Sequence, residues 1–238
     1  MSFAASASEP NDPVLALLQP LFDRLDSQHV ADGRCVLELL SGFRAGNDVD
    51  SDDPRIAAHL PAMRQAYARE NAARPGVLFQ NWSDLHNHLR FALVPAGRAL
   101  LDLHSEAAIA QPSMDALMLA VGLTAILQQA PQRFRSSAVV WLPAQWFPSG
   151  ADMGVWLGGR RRNPALDTAY GNGLTRLAEL LLAAERGRKA VHNSGLARGM
   201  DATAFLLHRM QKRLQNRTPN VRPVNITLLD RWLLRLRR

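Results

Sequence analysis

The sequence predicts an all-α protein built as a single helical domain. Apolar residues recur at spacings of three and four along most of the chain, which is the period of a helix with one buried face. Strand signals are limited to "AVVWL" at 138–142. The 238 residues are 47% hydrophobic, enough for one sizeable core, and no internal repeat suggests a second domain. We therefore expect residues 12–238 to form one helical bundle and residues 1–11 to be a disordered lead.

The first part of the chain predicts three helices. Apolar spacing indicates one helix from Val14 to Leu25 and another from Val36 to Phe43. The stretch "NDVDSDDP" at 47–54 breaks the pattern with turn-forming residues, like charges and a proline. A third helix is expected from Pro54 to about Ala73.

Two long helices are predicted next. The first opens at "NWSDL" with Ser83 as a cap and runs to Leu103, and Pro95 within it is expected to kink it. The second opens at "PSMD" with Ser113 as its cap. It continues through the apolar run Ala116–Leu127 towards "QQAPQRFR".

The last third returns to helical spacing after an irregular stretch. Residues 147–164 are expected to be a loop with one or two short turns, because they are rich in glycine and proline. Helices are then predicted from Leu174 to about Arg188, from Asp201 to about Leu214 and from Ile226 to Leu236.

Charge and cysteine usage restrict the kinds of partner and the cellular compartment that we expect. The formal net charge is +7 and nearly all of the positive charge is arginine, which favours anionic partners. Cys35 is alone, so a reducing compartment is the simpler interpretation. The N-terminus lacks the basic and apolar regions of a secretory signal, and no apolar run reaches about 18 residues. We expect a cytoplasmic protein that is soluble or associated with a membrane surface.

The common catalytic motifs are absent from the sequence. The "HNH" triplet, His86–His88, lies early in a predicted helix, where positions i and i+2 do not face the same way. No histidine has a histidine or cysteine four residues away, as zinc sites on helices require. No nucleotide-binding glycine loop or serine hydrolase elbow occurs either.

The acidic stretch "DVDSDDP" has two interpretations. Carboxylates three or four apart on a helix can hold Mg²⁺ for a diphosphate, which makes Asp48 and Asp52 weak metal candidates. Gly46 and Pro54 flank the stretch, however, and its residues favour turns. A solvated loop is the favoured interpretation.

Basic segments offer a separate interpretation. "GGRRRNP" at 158–164, "HRMQKRLQNR" at 208–217 and "RWLLRLRR" at 231–238 could contact RNA or DNA. No nucleic-acid motif accompanies them, so we do not expect a nucleic-acid partner. The last segment interleaves arginines with leucines at helical spacing, which equally fits a membrane-surface contact.

Two neighbouring segments carry a family resemblance. "LHNHLRFALVPAGRALLDL" at 85–103 and "SMDALMLAVGLTAILQQAPQRFRSSAVVWLP" at 113–143 resemble the paired signature of the squalene/phytoene synthase family. The segment 220–236, "NVRPVNITLLDRWLLRL", is more weakly similar to the family's C-terminal end. The resemblance covers about residues 80–238 and implies an isoprenoid synthase-like helical bundle. Members join two prenyl diphosphates head to head, with Mg²⁺ held by two aspartate-rich motifs.

The resemblance retains the scaffold positions but not the metal ligands. Pro95, Gly97 and Arg98 match the family's "PVGR", and Leu142 and Pro143 match its "LP". The family positions that bind metal are degenerate in this chain, where a ligand asparagine and two aspartates are replaced by Ala125, Gln129 and Arg133. Because an arginine repels the ion that an aspartate binds, the resemblance implies a catalytically degenerate member.

The N-terminal half aligns with the family in two ways. "LLSGFRAGNDVDSDD" at 39–53 can be laid on the first aspartate motif, placing Asn47 and Asp48 on its aspartate pair. The same segment also resembles a later family stretch, "LL.aFRqD", and both alignments stay open. Asp48 is closer to Gly97 than the family pattern requires, so this half is expected to be shortened or rebuilt.

The leading hypothesis is an accessory, scaffold or isoprenoid-binding protein that needs no cofactor. Arg98, Arg133 and Arg135 could hold a prenyl diphosphate directly, because guanidinium groups pair with phosphate oxygens. A divergent branch of the family that includes a respiratory complex I assembly factor resembles this chain in its lost aspartates, and a protein partner is a further expectation. The alternatives are an active prenyltransferase with Mg²⁺ on the acidic stretch, or an arginine-rich protein that binds membranes or nucleic acid.

Overall fold

A computed structural model describes residues 12–148, 152–159, 163–216 and 224–236. The predicted disordered lead, residues 1–11, and the arginines at 160–162 lie outside the described residues. The regular secondary structure of the described part is helical apart from one pair of two-residue strands. The predicted all-α class is confirmed.

Four helices precede the first strand. They are α1 (Pro13–Phe22), α2 (Val30–Arg44), α3 (Pro54–Ala57) and α4 (Leu60–Asn71). Asp12 caps α1, because its carboxylate accepts hydrogen bonds from the backbone N–H groups of the first turn. The prediction of one helix from Pro54 to Ala73 is corrected to two, since Pro61 in the first turn of α4 lacks the N–H that a continuous helix would need.

The predicted kink at Pro95 is a full break between two helices. Helix α5 (Trp82–Ala92) ends at Leu93, and α6 (Val94–Leu103) starts directly after it. The predicted cap at Ser83 is wrong. The side chain of Asn81 caps α5 instead, by accepting a 2.9 Å hydrogen bond from the backbone N–H of Asp84.

Helix α7 (Gln111–Ser137) is the central element of the bundle. The predicted cap at Ser113 is wrong, because Ser113 lies inside the helix and its hydroxyl donates to the backbone carbonyl of Ala184. Pro131 lies within the helix without ending it. The helix stops at Ala138, which takes a left-handed conformation with φ of 56°.

The remaining helices are α8 (Met153–Gly158), α9 (Pro164–Gly187), α10 (Ser194–Asn216) and α11 (Leu228–Leu236). Of these, α9 and α10 are longer than the sequence predicts, α11 is two residues shorter, and α8 lies in the stretch predicted to be a loop with short turns. Helix α9 starts ten residues before the predicted Leu174, because Asn163 caps it with a 2.9 Å hydrogen bond from the N–H of Ala165.

The bundle forms around α7, which packs along α9 and also contacts α1, α6 and α10. Helices α1 and α10 approach closely because Gly199 has no side chain, and a Cβ there would lie 2.5 Å from the backbone oxygen of Leu21. Strand β1 (Gly76–Val77) pairs in parallel with β2 (Val139–Val140). That pairing fixes the chain just beyond the C-terminal end of α7.

Helix α7 is long and apolar enough to cross a membrane by length and composition. However, 78% of its most apolar window is buried inside the bundle. It is therefore the core helix of this fold, surrounded by other helices.

Candidate functional site

The three degenerate family positions lie on one face of α7. Ala125, Gln129 and Arg133 are spaced by four residues, so they follow one another along the helix. Ala125 is buried, and the side-chain oxygen of Gln129 accepts a 3.1 Å hydrogen bond from Nε of Arg133. This face points into the bundle, towards α4 and the segment after β2.

Arg133 is held between an acid and an aromatic ring. Its Nη1 lies 4.0 Å from Oε2 of Glu70 on α4, and its guanidinium lies 3.9 Å from the ring centroid of Trp141. The pairing of β1 with β2 places Trp141 here, since it directly follows Val140. A guanidinium over an aromatic face gains an attractive electrostatic interaction, so the arginine is fixed in position.

Glu70 joins Arg133 to the helix that precedes the break at Leu93. Its Oε1 lies 2.9 Å from Nε2 of His88, whose side chain is buried. Arg44 of α2 pairs with Asp12, and its guanidinium also acts on the buried hydroxyl of Tyr67. We call this group the central charge cluster; its members are Asp12, Arg44, Tyr67, Glu70, His88 and Arg133.

The cluster keeps Glu70 ionised. Burial alone would raise the pKa of Glu70, but the hydrogen bond from His88 and the positive charges of Arg133 and Arg44 outweigh burial and hold the pKa below its ordinary value. Burial lowers the pKa of Arg133, and the charge of Glu70 opposes that shift. Because an arginine remains protonated near neutral pH, the cluster contains two cations and two carboxylates in balance.

Little space remains beside these side chains. The cavity between Ala125, Gly122, Glu70, Arg133 and Trp141 has a volume of about 20 Å³. That is room for about one water molecule, whereas pockets for small molecules are typically about 300–1,000 Å³. The centre of the bundle is therefore filled by the charge cluster.

The residues at this centre do not fit a Mg²⁺–diphosphate complex. Mg²⁺ prefers near-octahedral coordination by oxygen ligands, and two guanidinium groups next to it would repel it. Among the described residues that line the cavity, Glu70 supplies the one carboxylate, and His88 and Arg133 already engage it. Across the described part of the chain, no group of three or more acidic, histidine or cysteine side chains is arranged to hold a metal.

The acidic stretch lies elsewhere, in the loop between α2 and α3. Asp48 is 92% exposed in its side chain and lies 3.3 Å from Nε of Arg64. Asp52 is also exposed. The structure therefore places the side chains of both weak metal candidates in solvent.

The three arginines predicted to hold a diphosphate are not brought together. Arg98 makes two hydrogen bonds, of 3.0 and 2.6 Å, with the carboxylate of Asp115 at the start of α7. Asp115 and Arg133 are eighteen residues apart on the same helix, about 27 Å along its axis. Arg135 is exposed, and its charge acts on the hydroxyl of Tyr170 on α9.

The partners of Arg133 were missing from the sequence prediction. Glu70 lies three residues after the buried Tyr67, and His88 lies three residues after the buried Leu85, so each continues the apolar stripe of its helix. A charged or polar residue at a position of an apolar stripe was the sequence signal that could have pointed to a buried polar site. Nothing in the spacing indicates that the two side chains meet each other or Arg133.

Two solved structures share this fold. Squalene synthase HpnC from Alicyclobacillus acidocaldarius matches with a TM-score of 0.59 and 16% identity, over 84% of this chain and 80% of that one. A dehydrosqualene synthase in complex with ligand matches with a TM-score of 0.67 and 14% identity, over 94% and 83% of the two chains. The bundle is therefore an isoprenoid synthase-like fold.

Sequence similarity points to the same group. A hydroxysqualene synthase from Rhodopseudomonas palustris is 26% identical over 103 residues, which are 43% of this chain and 35% of that protein. The match thus spans about a third of the relative's length, and no family model matches the chain. The predicted resemblance to squalene and phytoene synthases is confirmed as a similarity of fold and of part of the sequence.

Proposed function

We propose that this chain is a catalytically degenerate squalene/phytoene synthase-like protein that serves as an accessory or scaffold protein. The observation that carries the proposal is the position of Arg133. It stands where the family resemblance places a metal-binding aspartate, and its guanidinium faces Glu70 at 4.0 Å in the centre of the bundle.

Charge is the first argument for this proposal. Departure of a diphosphate needs positive charge placed where negative charge develops, and the family supplies it with carboxylate-bound Mg²⁺. In this chain the cations at the centre are Arg44 and Arg133, and Asp12 and Glu70 already neutralise them. Little net charge is left to stabilise a leaving diphosphate.

Space is the second argument. A prenyl chain would need several hundred Å³, whereas the central cavity offers about 20 Å³. Opening it would separate Glu70 from Arg133 and leave buried charges unpaired, which costs about 3–5 kcal/mol. The wide separation of Arg98 from Arg133 also argues against a joint diphosphate site on these arginines.

The test is a product assay with farnesyl diphosphate and Mg²⁺, with a bacterial squalene synthase as the positive control. We expect no pyrophosphate release and no C30 product. Mg²⁺-dependent release with a C30 product would overturn the proposal in favour of an active prenyltransferase with an altered metal site. An Asp48→Asn variant would then show whether the acidic loop supplies the metal.

One observation favours a second function, isoprenoid binding without catalysis. A surface cleft of about 620 Å³ lies between α1, α2, α10 and α11, and part of its wall is apolar. That apolar wall consists of Leu15, Leu37, Leu206, Ile226 and Leu234. The cleft is large enough for a prenyl chain, unlike the central cavity.

Binding of a fluorescent farnesyl probe can show whether the surface cleft or the central cavity holds an isoprenoid chain. If the cleft binds the probe, Leu37→Arg should abolish binding, whereas Arg133→Met at the central cavity should leave it unchanged. Failure of the wild-type protein to bind the probe would remove this second function and leave the scaffold role.

A further inference from the structure

Helix α11 has one face fixed against the bundle. The carboxylate of Asp230 is fully buried and accepts hydrogen bonds from Nε of Arg209 at 2.7 Å, Nη2 of Arg213 at 2.8 Å and the backbone N–H of Thr227 at 2.8 Å. Leu234, one turn later, is buried on the same side. These contacts set the rotation of the helix about its axis and determine which side chains face solvent.

The opposite face of α11 is an exposed apolar ridge. Leu228 is 82% exposed, Leu229 54% and Trp232 55%. Single exposed apolar residues are ordinary, but these three are adjacent on one helix, because Leu228 and Trp232 lie one turn apart with Leu229 beside them. The ridge has no cover within the described structure.

Unpaired arginines flank this ridge. Arg231 and Arg235 lie one turn apart and are both exposed. Neither has an ion-pair partner among the residues that the structure describes. Among the described residues after Asp230, the helix carries Arg231 and Arg235 and no acidic residue, so the flank is cationic.

The combination of ridge and flank favours an anionic lipid surface. Helices that lie in the plane of a membrane interface combine a leucine- and tryptophan-rich face with basic side chains, and tryptophan settles at the level of the headgroups. A polyanion such as a nucleic acid has no apolar layer, so the apolar ridge would stay in contact with water if a polyanion bound here. A second copy of this chain would bring the two cationic flanks towards each other.

The surroundings of the arginines favour the outer face of α11 over the cleft. Arg231 and Arg235 line the cleft described above, and its opposite wall includes the carboxylates of Asp23 and Glu38. Those carboxylates disfavour an anionic headgroup inside the cleft. The outward ridge of Leu228, Leu229 and Trp232 carries no acidic side chain.

We propose that α11 is a docking helix that binds anionic membrane surfaces, with Leu228, Leu229 and Trp232 entering the interface and Arg231 and Arg235 contacting lipid phosphates. The proposal does not depend on the function of the bundle centre. One short helix gives weak and reversible binding. The protein would therefore stay at the membrane only where the membrane contains anionic lipid.

The test is sedimentation of the full chain with vesicles of phosphatidylcholine, with and without phosphatidylglycerol. We expect binding only to the vesicles that contain phosphatidylglycerol, with loss of binding at high salt. Quenching of fluorescence by brominated lipid should be present in the wild type and largely lost in Trp232→Phe. Equal binding to both kinds of vesicle, or no binding to either, would overturn the proposal.

Matched variants distinguish binding through α11 from binding caused by the overall positive charge of the protein. Arg231→Gln and Arg235→Gln should each weaken binding about fivefold. Arg176→Gln and Leu182→Ala, at exposed positions on α9, should leave it unchanged. Leu228→Ala should weaken binding without changing the melting temperature, since this side chain is almost fully in solvent. Unchanged binding in the α11 variants, or self-association through Trp232 in place of vesicle binding, contradicts the proposal.

Discussion

Two of the charge clusters in the described part of the bundle differ in how completely their polar groups are hydrogen-bonded. In the C-terminal charge cluster, formed by Thr227, Arg209, Arg213 and Asp230, the carboxylate is fully buried and several hydrogen bonds reach both of its oxygens. In the central charge cluster, Glu70 lies 4.0 Å from its arginine. Nδ1 of His88 is buried there without a hydrogen-bond partner among the described residues.

The difference indicates what each cluster does for the protein. Buried polar groups that hold a structure together are normally all hydrogen-bonded, and exceptions concentrate at functional or strained positions. The C-terminal charge cluster anchors α11. Arg133 of the central charge cluster stands at a position that the family resemblance assigns to a metal ligand, and the cluster's 4.0 Å pair is consistent with the proposed loss of the metal centre.

The largest expected effect is loss of the anchor of α11. Asp230→Ala leaves Arg209 and Arg213 without their shared carboxylate, so the free energy of unfolding should fall by about 3–5 kcal/mol. Urea denaturation measures it. Asp201→Ala, which breaks an exposed pair with Arg188, is the matched control and should cost about 1 kcal/mol or less. A similar small loss in both variants would mean that Asp230 is not an anchor.

A smaller effect is expected in the central charge cluster. Glu70→Gln keeps the shape but removes the charge that faces Arg133, so stability should fall by about 2 kcal/mol. The double variant with Arg133→Met should lose less unfolding free energy than the two single variants added together, by about 1 kcal/mol. The reason is that each single change leaves the opposite charge without its partner. Strict additivity in this double-mutant cycle would show that the two side chains do not interact. Glu179→Gln, at an exposed pair, is the control.

Acid should destabilise both clusters. Burial alone would raise the pKa of Asp230, but hydrogen bonds from Thr227, Arg209 and Arg213 outweigh it, so the pKa in the folded state lies below its ordinary value, as it does for Glu70. A lowered folded pKa gives stability that is present above the unfolded pKa and is lost as pH falls through the folded pKa. The melting temperature should therefore decline below about pH 4. Glu70→Gln should flatten part of that decline, whereas an unchanged slope would exclude Glu70 as a contributor.

The smallest effect is expected in the acidic loop. Asp48→Asn and Asp52→Asn change exposed side chains, so stability should stay within about 0.5 kcal/mol of the wild type. Binding of Mg²⁺, measured by calorimetry, should be equally unaffected. A clear loss of Mg²⁺ affinity would reinstate the loop as a metal site.

The sequence was sufficient to predict the fold class and most helices, because apolar spacing is a local property of the chain. Pro95 marked the interrupted region, but the predicted kink is a break at Leu93, and the proline lies in the first turn of the second helix. The caps were harder to predict. Asn81 and Ser83 are both good capping residues, and only the path of the chain before α5 decides between them.

The candidate site was predictable only in part. Ala125, Gln129 and Arg133 were found through the family pattern, and the structure brings them to one face of α7. Their partner Glu70 is distant in sequence, and contacts between distant residues depend on packing that no local pattern records. Arg98 illustrates the same limit, because its neighbour across the helices is Asp115 and not a second arginine.

Calorimetric titration with farnesyl diphosphate, with and without Mg²⁺, tests most directly the claim that the central charge cluster has replaced the metal centre. The account predicts that Mg²⁺ adds no affinity and that Arg133→Asp gains none, since Glu70 and Arg44 still occupy the site. Mg²⁺-dependent binding by the wild-type protein, lost when Glu70 is changed to Gln, would contradict it.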